Sequence, residues 1–310
     1  MEIFGQFLNA LPGSVSQGLI WGIMAIGVYL TYRILDVADL TVDGSFATGG
    51  AVAVMLILNG CNLWLAMLLA FIAGLVTGAI TGLLHTLMGI PPILAGILTQ
   101  LALYSINLKI MGKANQSVNV NQTDLLVSLR WVKELAFHNP LITVGISLVI
   151  LIAILYWFFG TEMGSALRAT GANLNMSRAQ GINTNFNKVL GIMLSNGFVA
   201  LSGAFLAQYQ GFADVKMGQG AIVIGLAAVI IGEAIFGRFF KNFALRLLGV
   251  AFGSVIYYIV VQAVITLGLD ANLLKLLSAV IVAIFLAIPY WKRQYQSRHI
   301  RKSKGGKEHA

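Results

Sequence analysis

Long apolar runs separated by short polar segments make up most of this chain. Nine such runs can be read, at residues 14–35, 45–58, 63–84, 91–108, 140–160, 189–209, 219–236, 247–269 and 272–290. A helix needs about 20 apolar residues to cross roughly 30 Å of hydrocarbon, and most of these runs approach that length. The pattern predicts an all-α, polytopic transmembrane protein with about nine membrane segments.

Two of the runs, 45–58 and 219–236, are short or interrupted by glycine, which predicts short or broken helices. The segments that lead into them, 38–50 and 213–225, resemble each other, with Asp39 aligned to Asp214 and Gly50 to Gly225. Because one segment would emerge on each side of the membrane, this similarity predicts two inverted repeats.

A broken helix in lipid leaves backbone groups without partners unless protein or a water-filled path surrounds them. We therefore expect Ser45, Thr48 and Gln219 to line a translocation path. The alternative is that small residues here only let helices approach closely. We expect that packing role for Gly74, Gly78 and Gly82, and for Gly249 and Gly253.

The composition supports the membrane assignment. Hydrophobic residues make up 58% of the chain and charged residues 10%, and the mean hydropathy is +0.85, which excludes a soluble globular domain. Only Glu233 lies clearly inside a predicted span, and we expect it to form an interfacial ion pair with Arg238 or a backbone cap. Ion-coupled carriers commonly place an ionisable group at mid-membrane. The predicted spans have no such group at their centres, which favours an energy source in a separate subunit.

The net charge of +9 is concentrated in the C-terminal tail, 291–310, which holds seven of the 20 Lys and Arg residues. The positive-inside rule places this tail in the cytoplasm, and nine spans then leave the N-terminus outside. A basic rim beside anionic membrane lipid explains the charge without a nucleic-acid partner. On this map residues 112–138 form an extracytoplasmic loop, in which apolar positions at helical spacing predict an amphipathic surface helix over 121–136.

The chain offers no signature of catalysis or of metal binding. Cys61 is the single cysteine, the four His residues are scattered, and no Gly-x-x-x-x-Gly-Lys-Ser/Thr phosphate loop occurs. The sequence therefore predicts a protein that is not an enzyme and holds no cofactor, so that any nucleotide is bound by another chain.

A 28-residue polar island, 161–188, interrupts the apolar pattern. Helical composition predicts two short helices in it, at 162–172 and 175–180, with Gly181 ending the second. The island contains the runs Leu167-Arg168-Ala169-Thr170-Gly171-Ala172-Asn173 and Ser177-Arg178-Ala179-Gln180-Gly181-Ile182-Asn183. With these runs, the region from 161 to the last span resembles the membrane permease subunits of ATP-binding-cassette importers of the branched-chain amino acid and simple-sugar type.

The resemblance extends weakly into the N-terminal half, where residues 40–46 look like the tryptophan and tyrosine permease subgroup. After the span 219–236, simple-sugar permeases usually show Gly-Gly. This chain has Gly232-Glu233 instead, which favours an amino acid as the solute.

The resemblance implies that 161–188 is a cytoplasmic coupling loop seated on an ATP-binding-cassette ATPase dimer. The implied ATPase-coupling residues are Arg168, Thr170, Gly171, Asn173, Arg178, Gly181 and Ile182. It further implies a homodimeric importer of a small solute in the bacterial cytoplasmic membrane, with ATP bound by the partner ATPase and an extracytoplasmic substrate-binding protein.

Two other classes remain open from the residues alone. One is a secondary transporter or facilitator with inverted repeats, driven by an ion gradient. The other is a membrane-embedded enzyme or assembly scaffold, and the lack of clustered acid, base or metal ligands argues against the enzyme.

Overall fold

The computed structural model describes residues 2–118, 125–133 and 139–268, together with residues 273, 276, 279–280, 282–284 and 287. The long described segments are almost entirely helical. Their α-helices are α1 (Glu2–Tyr29), α2 (Val42–Leu58), α3 (Leu63–Thr86), α4 (Pro92–Met111), α5 (Pro140–Gly160), α6 (Glu162–Ala172), α7 (Leu174–Ala179), α8 (Thr184–Gln210), α9 (Ala221–Phe236) and α10 (Phe243–Thr266). A π-helical turn, Leu30–Ile34, extends α1.

Six of these helices are long and apolar enough to cross a membrane. They are Phe4–Ile34, Leu63–Thr86, Pro92–Met111, Pro140–Gly160, Thr184–Gln210 and Phe243–Thr266. The helices α2 and α9 are apolar but shorter, as the sequence predicted for the runs 45–58 and 219–236. The molecule is therefore a polytopic helical membrane protein. The predicted ninth span, 272–290, and the tail, 291–310, lie mostly or wholly outside the described residues.

The helices α1 and α8 form the centre of the bundle, and their apolar stretches are 78% and 72% buried. The helices α3, α4 and α5 surround them and turn large aliphatic side chains outward, where lipid would cover them. These outward residues include Leu68, Ile72, Val76, Ile80, Ile97, Leu101, Ile146, Val149, Ile150 and Ile154.

Glycine seams hold the central helices together. Gly74, Gly78 and Gly82 of α3 lie directly against the α8 backbone, where an added Cβ would overlap backbone atoms. Gly253 in α10 approaches α9 in the same way, at Ala228 and Gly232, and an added Cβ at Gly232 of α9 would overlap the carbonyl oxygen of Gly249. The predicted packing role of both seams is confirmed.

Asparagine side chains begin several of the helices by accepting a bond from a backbone amide of the first turn. The Oδ1 atoms of Asn62 and Asn139 accept from the amides of Trp64 and Leu141, each at 2.9 Å. At the other end of a span, Gly112 takes a left-handed conformation that ends α4.

Two short strands mark one end of the bundle. The strand β1 (Asn115–Ser117) pairs antiparallel with β2 (Phe212–Asp214), both strands contact α2, and β2 follows the end of α8. We call this the strand end. The opposite end, where α6 and α7 lie, is the α6 end.

The predicted surface helix at 121–136 takes a different form. Residues 121–124 and 134–136 lie outside the described residues, 125–128 are not helical, and Leu129–Lys133 is a short 3-10 helix. The physical reason is that the apolar side chains of Leu125 and Val127 turn into the protein core instead of lying on lipid. The amide of Leu126 donates to Oε1 of Gln208 at 3.1 Å, so this amide does not form an α-helical backbone hydrogen bond.

Candidate functional site

The polar island forms two short helices joined by a capping asparagine. The hydroxyl of Thr161 accepts a bond from the Gly164 amide at 3.4 Å, and Oδ1 of Asn173 accepts from Met176 at 3.0 Å. Gly181 has φ of +77°, a conformation that favours glycine and ends the second helix. The helix α6 spans the predicted residues, and α7 begins one residue earlier and ends one residue earlier than predicted.

The helix α6 is fastened to the membrane helices along one face. Leu167 is buried, and Gly171 lies so close to the carbonyl oxygen of Ile34 that an added Cβ would overlap it. The Asn187 amide group of α8 donates to Oγ1 of Thr170 at 3.1 Å. The helix α6 therefore contacts both the π-helical end of α1 and the first turn of α8.

Arg168 reaches back toward the membrane helices. Its Nη2 atom donates to the carbonyl oxygen of Phe159, and its guanidinium lies 5.6 Å and 5.7 Å from the ring centres of Phe159 and Phe243. Arginine suits this position because a planar guanidinium can stack on aromatic rings while donating hydrogen bonds. This side chain links α6 to both α5 and α10.

The remaining predicted coupling residues form a more open surface. Asn173, Arg178 and Gly181 are exposed, although Nε of Arg178 donates to Oγ1 of Thr184 at 3.1 Å. The Ile182 amide donates to the carbonyl oxygen of Ser177 at 3.0 Å, which closes the loop. Leu174, Met176 and Phe186 add exposed apolar area to this surface. The structure thus divides the predicted set into two groups. Arg168, Thr170 and Gly171 contact the membrane helices, although Arg168 is itself exposed, and the other residues lie on and after α7.

A buried polar layer crosses the bundle between α2, α3 and α8. Asp39 is 3% exposed, and its carboxylate accepts from Nδ2 of Asn196 at 2.6 Å and from the Thr41 amide at 2.9 Å. Oδ1 of Asn196 in turn accepts from the hydroxyl of Ser45 at 2.6 Å. These bonds satisfy groups that would otherwise be costly to bury.

Threonine hydroxyls continue this layer toward α4. The Oγ1 atoms of Thr41 and Thr81 lie 2.7 Å apart, and Thr81 donates to Thr99 at 2.9 Å. A second pair, Ser45 and Thr77, lies 2.8 Å apart. We call Asp39, Thr41, Ser45, Thr77, Thr81, Thr99 and Asn196 the polar layer.

Asp43 joins the two short helices. It lies in the first turn of α2, and its carboxylate oxygens accept from the amides of Gly220 at 2.9 Å and Ile222 at 3.0 Å, at the start of α9. The start of a helix carries unpaired amides and a positive dipole end, so a carboxylate there is favourable. The segment leading into α9 is therefore held by α2.

The predicted path residues lie in three different settings. Ser45 belongs to the polar layer and is fully buried. Thr48 is also buried, and its hydroxyl donates to the carbonyl oxygen of Gly44 in its own helix at 2.9 Å. Gln219 is exposed in the turn before α9. The role of these residues in a translocation path stays a prediction.

Sequence reasoning missed the acidic residues inside the bundle. It placed Asp39 and Asp43 outside the spans, whereas both lie among the membrane helices. It also expected Glu233 to pair with Arg238 or to form a backbone cap, but Oε1 of Glu233 lies 3.0 Å from Nε of Arg33. Their partners are far away in sequence, and no local pattern encodes such a contact. In the part of the chain that is described, no group of three or more His, Cys, Asp or Glu could hold a metal ion.

Comparison with known proteins gives a consistent match over most of the chain. The family model described as the permease component of branched-chain amino acid transport systems matches residues 11–289. A tyrosine transport system permease protein of Clostridioides difficile is 38% identical over 90% of this chain and 91% of its own length.

Two further relatives have lower identity to this chain. An uncharacterized protein of Rickettsia prowazekii is 36% identical over 90% of this chain and 98% of its own length. A fructose import permease protein of Bifidobacterium longum is 28% identical over 88% of this chain and 75% of its own length. No solved structure matches the chain.

Proposed function

Because this chain belongs to the permease family of branched-chain amino acid transport systems, we propose that it moves an aromatic or branched-chain amino acid across the bacterial cytoplasmic membrane. It is the membrane subunit of an ATP-binding-cassette importer, and it is a transport subunit, not an enzyme. The full assembly we propose contains two copies of this chain, a cytoplasmic ATPase dimer that binds the ATP, and an extracytoplasmic substrate-binding protein.

The observation that carries the coupling proposal is the attachment of α6 to the end of α1. An ATPase seated on the exposed residues around α7 would push on α6, and Gly171 would pass that displacement to Ile34. From Ile34 the polypeptide continues through Asp39, in the polar layer, to Asp43, whose carboxylate accepts a hydrogen bond at the start of α9. Movement of the ATPase would thereby reach both short helices through packed contacts.

The choice of an amino acid rests on the relatives. The 38% identical relative is described as a permease for tyrosine, while the sugar permease is more distant at 28% identity. An aromatic amino acid is therefore the solute that we favour, with a branched-chain amino acid as the second choice.

The finer topology belongs to the same proposal: nine spans, two inverted repeats, and a cytoplasmic α6 end that also bears the C-terminal tail. The aligned residues Asp39 and Asp214 support the repeat, because each accepts a bond from the backbone amide two residues later. These bonds run from Thr41 at 2.9 Å and from Lys216 at 2.7 Å. Each aspartate also precedes one of the two short helices.

The test is reconstitution of the purified chain in liposomes, with and without its ATPase and binding protein. We expect uptake of tyrosine only when all components and ATP are present. Uptake by the chain alone under a proton or sodium gradient, with none from ATP in the complete system, would establish the secondary transporter instead.

A further inference from the structure

From the lining of a charged cavity at the α6 end, we infer that this cavity binds a zwitterionic aromatic amino acid. This inference rests on the proposed function and locates a binding site for the same solute. The cavity has a volume of about 250 Å³. Its lining consists of Arg33, Gly232, Glu233, Phe236, Gly237, Phe240, Arg246 and Gly249. We call it the charged cavity.

The lining of the charged cavity contains side chains of opposite charge. Glu233 is held by Arg33 at 3.0 Å, so its carboxylate is oriented and only partly exposed. Arg246 comes from the neighbouring helix α10, and its Nε atom donates to the carbonyl oxygen of Phe240 at 3.4 Å. The charged cavity therefore presents a carboxylate and an anchored guanidinium on separate helices.

This pair of charges matches the backbone groups of a free amino acid. A guanidinium binds a carboxylate through paired, charge-assisted hydrogen bonds, and a protein carboxylate accepts from an ammonium group. The Arg33 side chain leaves the site with an excess of positive charge, which favours the ligand's carboxylate end. A ligand without a carboxylate would leave Arg246 without a counter-charge, and a ligand without an ammonium group could not donate to Glu233.

The rest of the lining fits an aromatic side chain. The rings of Phe236 and Phe240 are stacked at 5.2 Å with 9° between their planes, and Phe252 lies 5.8 Å from Phe236. Aromatic rings attract one another in offset-stacked and edge-to-face arrangements, so these rings can pack against an aromatic ligand. Glycines at 232, 237 and 249 complete the wall, and Gly232 lets α9 and α10 pack closely beside the cavity.

The charged cavity also touches the coupling machinery. It shares Arg33 and Arg246 with a neighbouring cavity of about 410 Å³, whose walls include Arg168 and Gly171 of α6. An amino acid bound here would lie between α1, α9 and α10, next to the helix that the ATPase moves. Under the proposed orientation, this is the side on which the solute is released.

Equilibrium binding of radiolabelled L-tyrosine to the full chain in lipid nanodiscs tests the site. We expect saturable binding that weakens at least tenfold in Arg246→Gln and in Glu233→Gln. Phe240→Leu keeps the volume but removes the ring, and it should weaken binding severalfold. Arg238→Gln is the matched control, because Arg238 is an exposed cation of the same segment that does not line the cavity.

Competition with analogues decides the chemistry. Tyramine lacks the carboxylate and 3-(4-hydroxyphenyl)propionate lacks the ammonium group, so each should compete at least tenfold less well than L-tyrosine. Equal competition by the propionate or by inorganic phosphate would replace the zwitterion site with a plain anion site. No saturable binding, or equal loss in Arg238→Gln, would overturn the inference. ATP-driven uptake by the complete complex would still stand in that case, so failure of the site and failure of the proposed function are separate results.

Discussion

At the scale of single residues, the contact between Asp39 and Asn196 predicts that replacing one carboxylate oxygen of Asp39 with an amide nitrogen destabilises the protein. The carboxylate of Asp39 accepts from Nδ2 of Asn196, while the other amide atom, Oδ1, accepts from Ser45. Asp39→Asn would set two amide donors against each other in a buried site, at a cost of about 1–3 kcal/mol. We expect a lower apparent melting temperature in detergent and reduced ATP-driven uptake.

The reciprocal exchange is the control for this prediction. In the double variant Asp39→Asn with Asn196→Asp, a donor again faces an acceptor, and the carboxylate at 196 can still accept from Ser45. The double variant should therefore recover part of the stability that Asp39→Asn loses. A double variant that is less stable than either single variant would show that the acid is needed at position 39 itself.

Asp43 gives a second residue-scale prediction. Asp43→Ala removes both acceptors from the amides of Gly220 and Ile222, and losing such a helix cap costs about 0.5–2 kcal/mol. We expect faster hydrogen exchange at the start of α9 and weaker uptake. Asp36→Asn is the matched control, because Asp36 is exposed and Asn tolerates its φ of 55°. Equal effects of the two changes would contradict the role of Asp43.

These aspartates also show where sequence reasoning ends. The asparagine and glycine signals around 173 and 181 act within a few residues, so both short helices of the polar island could be placed from sequence. Asp39 meets Asn196, and Asp43 meets Gly220, across more than 150 positions. Only the folded arrangement of α2, α8 and α9 creates those contacts, and the local sequence around Asp39 reads as an ordinary loop.

At the scale of elements, the contact between α6 and the end of α1 decides how motion enters the bundle. Gly171→Ala would push a methyl group into the Ile34 carbonyl and separate the two elements. We expect assembly with the ATPase to persist while uptake per ATP hydrolysed falls severalfold. Gly160→Ala, at the same end of the bundle and in open space, should leave this ratio unchanged. Normal transport by Gly171→Ala would remove this contact from the coupling route.

Arg168 separates anchoring from simple charge attraction. Its guanidinium donates to the Phe159 carbonyl and lies near the two neighbouring rings of Phe159 and Phe243, and a lysine ammonium cannot reproduce that planar geometry. Arg168→Lys should therefore lower ATP-driven uptake even though it keeps the charge. Arg168→Glu should in addition lose ATPase association with membrane insertion intact. Full uptake by Arg168→Lys, measured in the same liposomes, would leave charge as the only requirement.

Elements were predictable where their signal is local. Eight of the predicted apolar runs coincide with α1–α5 and α8–α10, because apolar length alone determines such helices. The prediction of a surface helix at 121–136 is wrong for residues 125–128. It assigned the apolar face to lipid, whereas Leu125 and Val127 pack into the core. Periodicity shows that a face is buried, but it does not show what buries it.

At the scale of the whole molecule, the distribution of charge gives the orientation a direct test. Basic residues lie at both ends of the bundle: Arg33, Arg168, Arg178, Lys188, Lys241 and Arg246 at the α6 end, and Lys109, Lys113, Arg130, Lys133 and Lys216 toward the strand end. The predicted cytoplasmic side of the α6 end therefore rests on the basic tail, 291–310, and the positive-inside rule. Cys61, the single cysteine of the chain, lies half-exposed in the turn between α2 and α3, toward the strand end. A membrane-impermeant maleimide should therefore label Cys61 in intact spheroplasts.

The complementary variant carries Asn175→Cys on the exposed surface of α7 in a Cys61→Ala background. It should react only in inside-out vesicles, because the α6 end then faces the reagent. Labelling of both sites from the same side would contradict the arrangement of the two ends across the bilayer. If Asn175→Cys is labelled in intact spheroplasts and Cys61 of the unmodified protein is not, α6 and α7 lie outside. A cytoplasmic ATPase could not reach them there, so this one measurement tests the orientation and the coupling proposal together.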